Sequence, residues 1–261
     1  MKLVIFLTAL VLSLFVVSML TGPTVISTSE SLRALLFDDG GPMTVVMREI
    51  RLPWALLAVM IGISLGLSGA AMQGYLRNPL AEPGLIGVSG AAGLGAVLAL
   101  QTGLAASFAL ALPMFALGMA LLAVGLILTL AGPRGSAFSL ILAGIAISAL
   151  ASALTSLVLN LSPNPFAASE IVFWMLGSLS DRSFDHVWIA FPFMLIGWVL
   201  LVSIGRSLDA LTLGEDAAQS MGVNVARARL LLVVGTAASV GAATAVAGAI
   251  GFVGLVVPHI L

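Results

Sequence analysis

Long apolar stretches separated by short polar breaks set the layout of this chain. No Asp, Glu, Lys or Arg occurs in 3–29, 52–76, 83–133, 135–169, 187–205 or 230–261. Crossing a bilayer core takes about 20 apolar residues, so these runs predict membrane-spanning helices, and the two longest have room for further structure. Polar breaks place eight spans: the first at residues 1–21, then 53–75, 85–101, 106–130, 137–159, 187–205, 230–247 and 249–261. Gln101-Thr102-Gly103 reads as a tight turn and Gly132-Pro133-Arg134-Gly135-Ser136 as a second. The first run resembles a signal peptide, but it is longer than the usual apolar region and no Ala-x-Ala site follows, so a retained span is expected.

Small residues recur every fourth position on either side of one polar hinge, Arg77-Asn78-Pro79-Leu80-Ala81-Glu82-Pro83. Gly62, Gly66, Ala70 and Gly74 form one stripe, and Gly87, Ala91, Gly95 and Ala99 a second. Lipid offers little hydrophobic drive for helix association, so stripes that let backbones approach closely predict packed faces. The hinge, with two prolines and three charged or amide side chains, must sit at an aqueous surface or line a cavity. In 137–159, Ser148, Ser152, Thr155 and Ser156 cluster on one side of a helix. Two readings stay open for them: hydroxyls bonded back to their own backbone, or the weakly polar wall of a conduit.

Composition narrows the class. Hydrophobic residues are 61% and charged residues 8%, far from the roughly 25% charged of soluble domains, so the expected fold is an all-α polytopic membrane protein. The chain has no cysteine, which excludes disulfides, thiolate metal sites and Fe–S clusters. Its only lysine is Lys2, which excludes a P-loop, and a net charge of −1 gives no field for nucleic acid. With the amino terminus inside, Lys2, Arg77, Arg134, Arg206, Arg227 and Arg229 fall on the inner side, against Arg33, Arg48, Arg51 and Arg182 outside. That bias fits the positive-inside rule.

Ion-coupled carriers commonly place a carboxylate or His in mid-membrane. The predicted spans hold no Asp or Glu, and His186 and His259 lie near span ends. An uncharged path is the residue, with its energy supplied from outside. The longest charged stretch of the second half, 206–229, contains Gly214-Glu215-Asp216 through Met221-Gly222. Acids in the first turn and a closing glycine predict a short helix there, suited to docking a partner.

Five stretches, in order, carry a family resemblance: Ile50-Arg51-Leu52-Pro53; Ser68 to Gln73 with the 77–83 hinge and Leu85-Ile86-Gly87-Val88-Ser89; Trp174 to Leu179; Leu213-Gly214-Glu215 with Met221-Gly222-Val223; and Gly251 to His259. In these the chain resembles the FecCD/BtuC-like permease subunits of bacterial ABC importers for iron–siderophores, haem and vitamin B12. The resemblance implies an inner-membrane permease of ten spans, homodimeric or pseudo-dimeric. Its implied partners are two cytoplasmic ABC ATPases and a periplasmic or lipid-anchored binding protein. It implies a single permease domain over 1–261 with two short cytoplasmic helices at 207–224, where Leu213, Gly214, Glu215, Asp216, Met221 and Gly222 meet the ATPase. It assigns Arg51, with Arg48, to binding-protein docking, although Trp54 stands where many relatives carry Arg. Asn78 and Leu80, with Gly135 and Ser136, are implied as inner gates, and Ser148, Ser152, Thr155 and Ser156 as path lining. Relatives continue past Pro258-His259 with two more spans, so a fragment is expected. Rival readings are a zinc or manganese ABC permease, an ion-coupled secondary carrier, and a membrane protein with no cargo.

Overall fold

The computed structural model describes residues 2–22, 27–37, 40–108, 110–132, 136–162 and 165–260. The helices are α1 Lys2–Leu20, α2 Thr28–Leu36, α3 Pro42–Val45, α4 Leu52–Leu76, α5 Val88–Gln101, α6 Leu104–Ser107, α7 Ala111–Ala131 and α8 Ala137–Asn160. They continue with α9 Pro165–Met175, α10 Phe184–Ser203, α11 Gly205–Leu211, α12 Glu215–Ser220, α13 Val225–Ala247 and α14 Val253–Ile260. A π-helical turn, Val46–Arg51, joins α3 to α4, and a 3-10 turn, Pro83–Ile86, precedes α5. No strand occurs among the described residues.

Six helices among the described residues are long and apolar enough to cross a membrane: α1, the continuous Pro42–Leu76 segment, α7, α8, α10 and α13. The other two expected spans differ. The 85–101 segment begins in the 3-10 turn, bends at Gly87 (φ +78°) and leaves a helix of 14 residues, about 21 Å at 1.5 Å per residue and short of the roughly 30 Å core. In the 249–261 segment left-handed residues at Gly248 (φ +75°) and Phe252 (φ +64°) precede the helix Val253–Ile260, and Leu261 lies outside the described residues. Hydropathy counts apolar residues, but glycines in left-handed conformations decide where a helix can run.

The chain divides into two compact units, one comprising Met1–Met60 and Leu179–Trp188, the other Ile61–Ser178 and Ile189–Leu261. In the first unit the core is Met19, Ala34, Met47 and Ala55, with Phe15, Leu35, Val46 and Leu52 packed on it. Most of α1 is exposed, and only Met19 on it is buried. That suits a span whose sides face hydrocarbon.

In the second unit α5 and α13 form the interior, packed with α7 and α8. The α5 stripe behaves as expected: Gly87, Ala91, Gly95 and Ala99 are all buried. A Cβ on Gly95 would collide with the backbone of Phe115 and lie 2.9 Å from Ala116 Cα. The α4 stripe does not. Gly62 and Ala70 are exposed, Gly66 and Gly74 half-buried, and the buried face is Ile61, Ser64, Leu65, Ser68, Gly69 and Met72. Helical spacing identifies a face without saying what lies opposite it.

Polar groups on that buried face pair internally. Trp198 Nε1 donates to Ser64 Oγ at 2.9 Å, and the Ser68 and Ser239 hydroxyls share a bond of 3.0 Å. The tightest approaches are backbone on backbone: a Cβ on Gly69 would strike the Gly254 carbonyl, and one on Gly144 the Leu85 carbonyl and Ile86 Cα, the latter at 2.9 Å. Gly144→Leu should therefore lower stability by about 1–3 kcal/mol or more. Gly118, with nothing within 4 Å of a Cβ, should accept Ala with a gain of up to about 1 kcal/mol. Thermal midpoints in detergent, read by size-exclusion fluorescence, separate the two; equal midpoints would contradict this packing.

Candidate functional site

The hinge is built by local hydrogen bonding. Helix α4 ends at Leu76, and Arg77 takes a left-handed conformation (φ +49°) that turns the chain. Asn78 Oδ1 then accepts from Leu80 N at 2.9 Å, while Asn78 O accepts from Ala81 N at 3.0 Å. This Asx turn leaves Leu80 72% exposed at the tip. Gln73, which the sequence reading passed over, holds the hinge from behind. Its Nε2 donates to Ala81 O at 3.3 Å and to Leu255 O at 3.0 Å. A Cβ on Gly254 would lie 2.7 Å from Pro83 Cδ, so α4, the hinge and α14 meet at one junction. The available signal was an amide on an otherwise apolar helix, where an unbonded polar group is costly.

The segment after α10 sits against this hinge. It consists of α11, a turn through Gly214 (φ +104°), and α12 closed by Gly222 (φ +86°). Glu215 and Asp216 occupy the first turn of α12, as the acid pattern predicts. Leu213 and Met221 project outward, 68% and 64% exposed. A Cβ on Gly74 would touch Leu208 at 3.6 Å, and one on Gly214 would lie 3.9 Å from Arg77 Nη1. Tyr75 lies within electrostatic reach of Arg229 and Glu215. A polar cleft of about 440 Å³, lined by Ser203, Ser207, Gly222, Asn224 and Arg227, opens beside the end of α12.

Of the turn before α8, Gly135 lies outside the described residues. Ser136 is the N-cap of α8 and its hydroxyl accepts from Ser139 N at 3.2 Å. Further along α8, Thr155 is buried, Ser148 half-buried, and Ser152 and Ser156 exposed. Ser152, Thr155 and Ser156 line one cleft of about 240 Å³ together with Ser89 of α5 and Trp174 of α9. Ser148 is not among its walls and packs beside Gly87, 3.0 Å from where a Cβ would stand.

Arg48 and Arg51 are not presented as bare surface cations. Arg51 is buried, and its Nη1 donates to the Met19 and Leu20 carbonyls at 3.0 and 3.1 Å. Arg48 is half-buried and donates to Ala34 O at 3.1 Å and Leu35 O at 2.9 Å. The π turn thus aims two guanidinium groups at the carboxyl ends of α1 and α2, where orphan carbonyls carry partial negative charge. A Cβ on Gly22 would lie 2.8 Å from Arg51 Nη2, so a larger residue there would require the guanidinium to shift. Sequence shows two arginines at a span edge but not which way they fold back.

His186 is a helix-end residue: its Nδ1 lies 3.2 Å from Ser183 Oγ and accepts from Ser183 N at 3.3 Å, at the start of α10. No cluster of three or more His, Asp or Glu residues suited to a metal occurs among the described residues.

An all-helical, multi-pass membrane protein with a clamped hinge, a pair of short helices against it and a hydroxyl-faced span belongs to the architecture of transport permeases. The chain belongs to the FecCD transport family, whose family model matches residues 9–261. It is 39% identical over 227 residues to the uncharacterized ABC transporter permease protein YvrB of Bacillus subtilis, covering 85% of this chain and 64% of that protein. It is likewise 39% identical over 214 residues to the vitamin B12 import system permease protein BtuC of Klebsiella pneumoniae, covering 82% and 64%. The chain thus spans less than two thirds of the length of these curated relatives. Its fold matches a solved structure described as an inward-facing conformation of a metal-chelate type ABC transporter, with TM-score 0.87 and 31% identity over 99% of this chain and 80% of that one. Membership places the chain in the bacterial inner membrane as a multi-pass protein.

Arg51→Ala should strand two carbonyls at the end of α1, a loss of about 1–3 kcal/mol. Hydrogen exchange at the amides of Thr21 and Gly22 should accelerate, with partial recovery in Arg51→Lys; unchanged exchange would remove the clamp.

Proposed function

We propose that this chain is the membrane-spanning permease subunit of a binding-protein-dependent ABC importer that carries an iron chelate or vitamin B12 inward. Family membership and the likeness to a metal-chelate type transporter support the class. The observation that carries the mechanism is the close approach of α11 and the Gly214 turn to the end of α4 and Arg77. A push on the exposed pair α11–α12 reaches the hinge directly, through Leu208 on Gly74 and Arg77 beside Gly214.

In this reading a cytoplasmic ATPase docks on Leu213, Gly214, Glu215, Asp216, Met221 and Gly222. Leu213 and Met221 offer apolar anchors, and the two acids offer charge at the rim. The ATPase changes the permease only through its different affinity for the open and closed arrangements. The hinge carrying Asn78 and Leu80, with the Gly135-Ser136 turn, forms the inner gate. Gln73 makes the hinge move with α14 rather than flap alone. A second copy of the permease completes the path, and Ser148, Ser152, Thr155 and Ser156 line it. A binding protein delivers cargo on the outer side, where Arg48 and Arg51 support the docking surface from within by fixing the ends of α1 and α2. A large chelate loses much hydration on entering a narrow charged site, and a wide path without carboxylates avoids that cost.

Glu215→Lys combined with Gly222→Leu should lower ATP-driven uptake of cyanocobalamin or ferric chelate into vesicles by about tenfold, within the range of ordinary coupling energies. ATP hydrolysis and cargo capture by the binding protein should persist. Uptake at the parent rate would overturn the coupling assignment, and uptake abolished by a protonophore with ATP in excess would overturn the importer reading.

A further inference from the structure

Three helix ends meet around a cleft of about 650 Å³ that the coupling mechanism does not use. Its apolar walls are Leu128 at the end of α7, Leu140 at the start of α8 and Leu230 near the start of α13, and Arg227 and Arg229 of α13 line it too. Helix α13 follows α12 after the short turn 221–224, so the cleft lies at the membrane face that carries α11 and α12. The two arginines stand differently. Arg229 is 6% exposed and its Nη2 donates to Gly132 O at 3.2 Å, which fixes one positive charge in the wall. Arg227 is exposed, and among the described residues its guanidinium makes no hydrogen bond or ion pair. Asn224 Oδ1 accepts from Arg227 N at 2.9 Å, which leaves the Asn224 amide N–H groups open in the same cleft.

The charge of the cleft has one sign. No acidic residue lines it among the described residues. The three residues after Gly132 lie outside them, and in sequence they are Pro133, Arg134 and Gly135, so they bring no acid. Asp209, Glu215 and Asp216, on α11 and α12, line neither this cleft nor the 440 Å³ one. A cation at a span end stands at headgroup depth, where its long side chain reaches polar partners.

Two demands then fall on an occupant. Guanidinium and amide N–H groups only donate, so they ask for an oxyanion, and a phosphate matches the guanidinium fork. The leucine walls ask for hydrocarbon. Inorganic phosphate meets the first demand alone, and a neutral lipid the second alone. An anionic phospholipid meets both, and basic pockets between membrane helices are hosts for such headgroups. The volume takes a headgroup with the start of its chains. Leu130 and Phe138, exposed on the same ends of α7 and α8, offer apolar surface to the rest.

We infer that the cleft between α7, α8 and α13 binds an anionic phospholipid, with its phosphate on Arg227 and Asn224, its chains along Leu128, Leu140 and Leu230, and Arg229 behind as a fixed countercharge. Arg227 also lines the 440 Å³ cleft beside Gly222, so a bound headgroup bears on the turn between α12 and α13. Anionic lipid then becomes a partner of the coupling region. That consequence rests on reading α11 and α12 as the ATPase contact; the binding site itself does not.

The test uses the full chain in detergent, stripped of lipid and titrated with phosphatidylglycerol or phosphatidylcholine, with bound lipid counted by native mass spectrometry. One phosphatidylglycerol should bind saturably and more tightly than phosphatidylcholine, and the preference should shrink as salt rises. Arg227→Gln should weaken it about fivefold, the worth of one basic residue at a membrane surface. Ala226→Glu should weaken it at least as much. Ala226 lines the cleft and is exposed in the first turn of α13, where an acid suits the helix dipole, so this variant keeps its fold. Arg206→Gln removes an equal charge that lines neither cleft, and it should leave the affinity at the parent value. Equal binding of the two lipids, unchanged affinity in Arg227→Gln or Ala226→Glu, or an equal loss in Arg206→Gln overturns the site. Displacement of the lipid by glycerol phosphate at equal concentration overturns it too, since the cleft would then take a free phosphate. Binding is read without cargo or ATP, so its failure leaves the permease reading standing, and failed uptake leaves the lipid site standing.

Discussion

Backbone meeting backbone inside an apolar solvent is the constraint on which this structure depends. Hydrocarbon drives helices together no more than it surrounds them, so cohesion has to come from contact area and from polar groups that cannot stay alone. Where Gly69 lies on the Gly254 carbonyl, Gly144 on Leu85, and Gly248 on Trp174, the absent side chains let main chains reach van der Waals distance. Each such point also fixes an element that hydropathy would treat as one more greasy run: α14, the 3-10 turn before α5, and the end of α9.

The same solvent explains the polar features. Ser64, Ser68, Gln73 and Ser239 all find partners within the second unit. Arg51 and Arg48 satisfy the last carbonyls of α1 and α2 in the first. The hinge differs again: Leu80 is held outward by the Asn78 turn, exposing an apolar side chain while the backbone behind it is secured by Gln73.

Particular residues show where sequence reading succeeds. Both ends of α8 and the carboxyl ends of α7 and α13 follow from glycines, prolines and polar residues, because ending a helix in lipid needs residues that tolerate or satisfy open backbone groups; α7 begins five residues later than the expected span and α13 five earlier. The helix at 215–220 was legible from acids followed by a glycine, and the turn at 101–103 from its polar residues. The α4 stripe misled because periodicity is blind to the neighbour. The direction in which Arg51 folds was not legible, because its guanidinium reaches back 32 residues to Met19.

Composition and the spacing of charges thus determined that the chain crosses a membrane several times, with uncharged spans and a polar hinge. These follow from transfer free energies that each residue carries wherever it sits. Tertiary structure decided which glycine face is packed, where glycines break two apolar runs, how the hinge lies beside α11, and which hydroxyls line a cleft. Those outcomes depend on groups far apart in the chain coming within a few ångströms of one another, which no local pattern encodes.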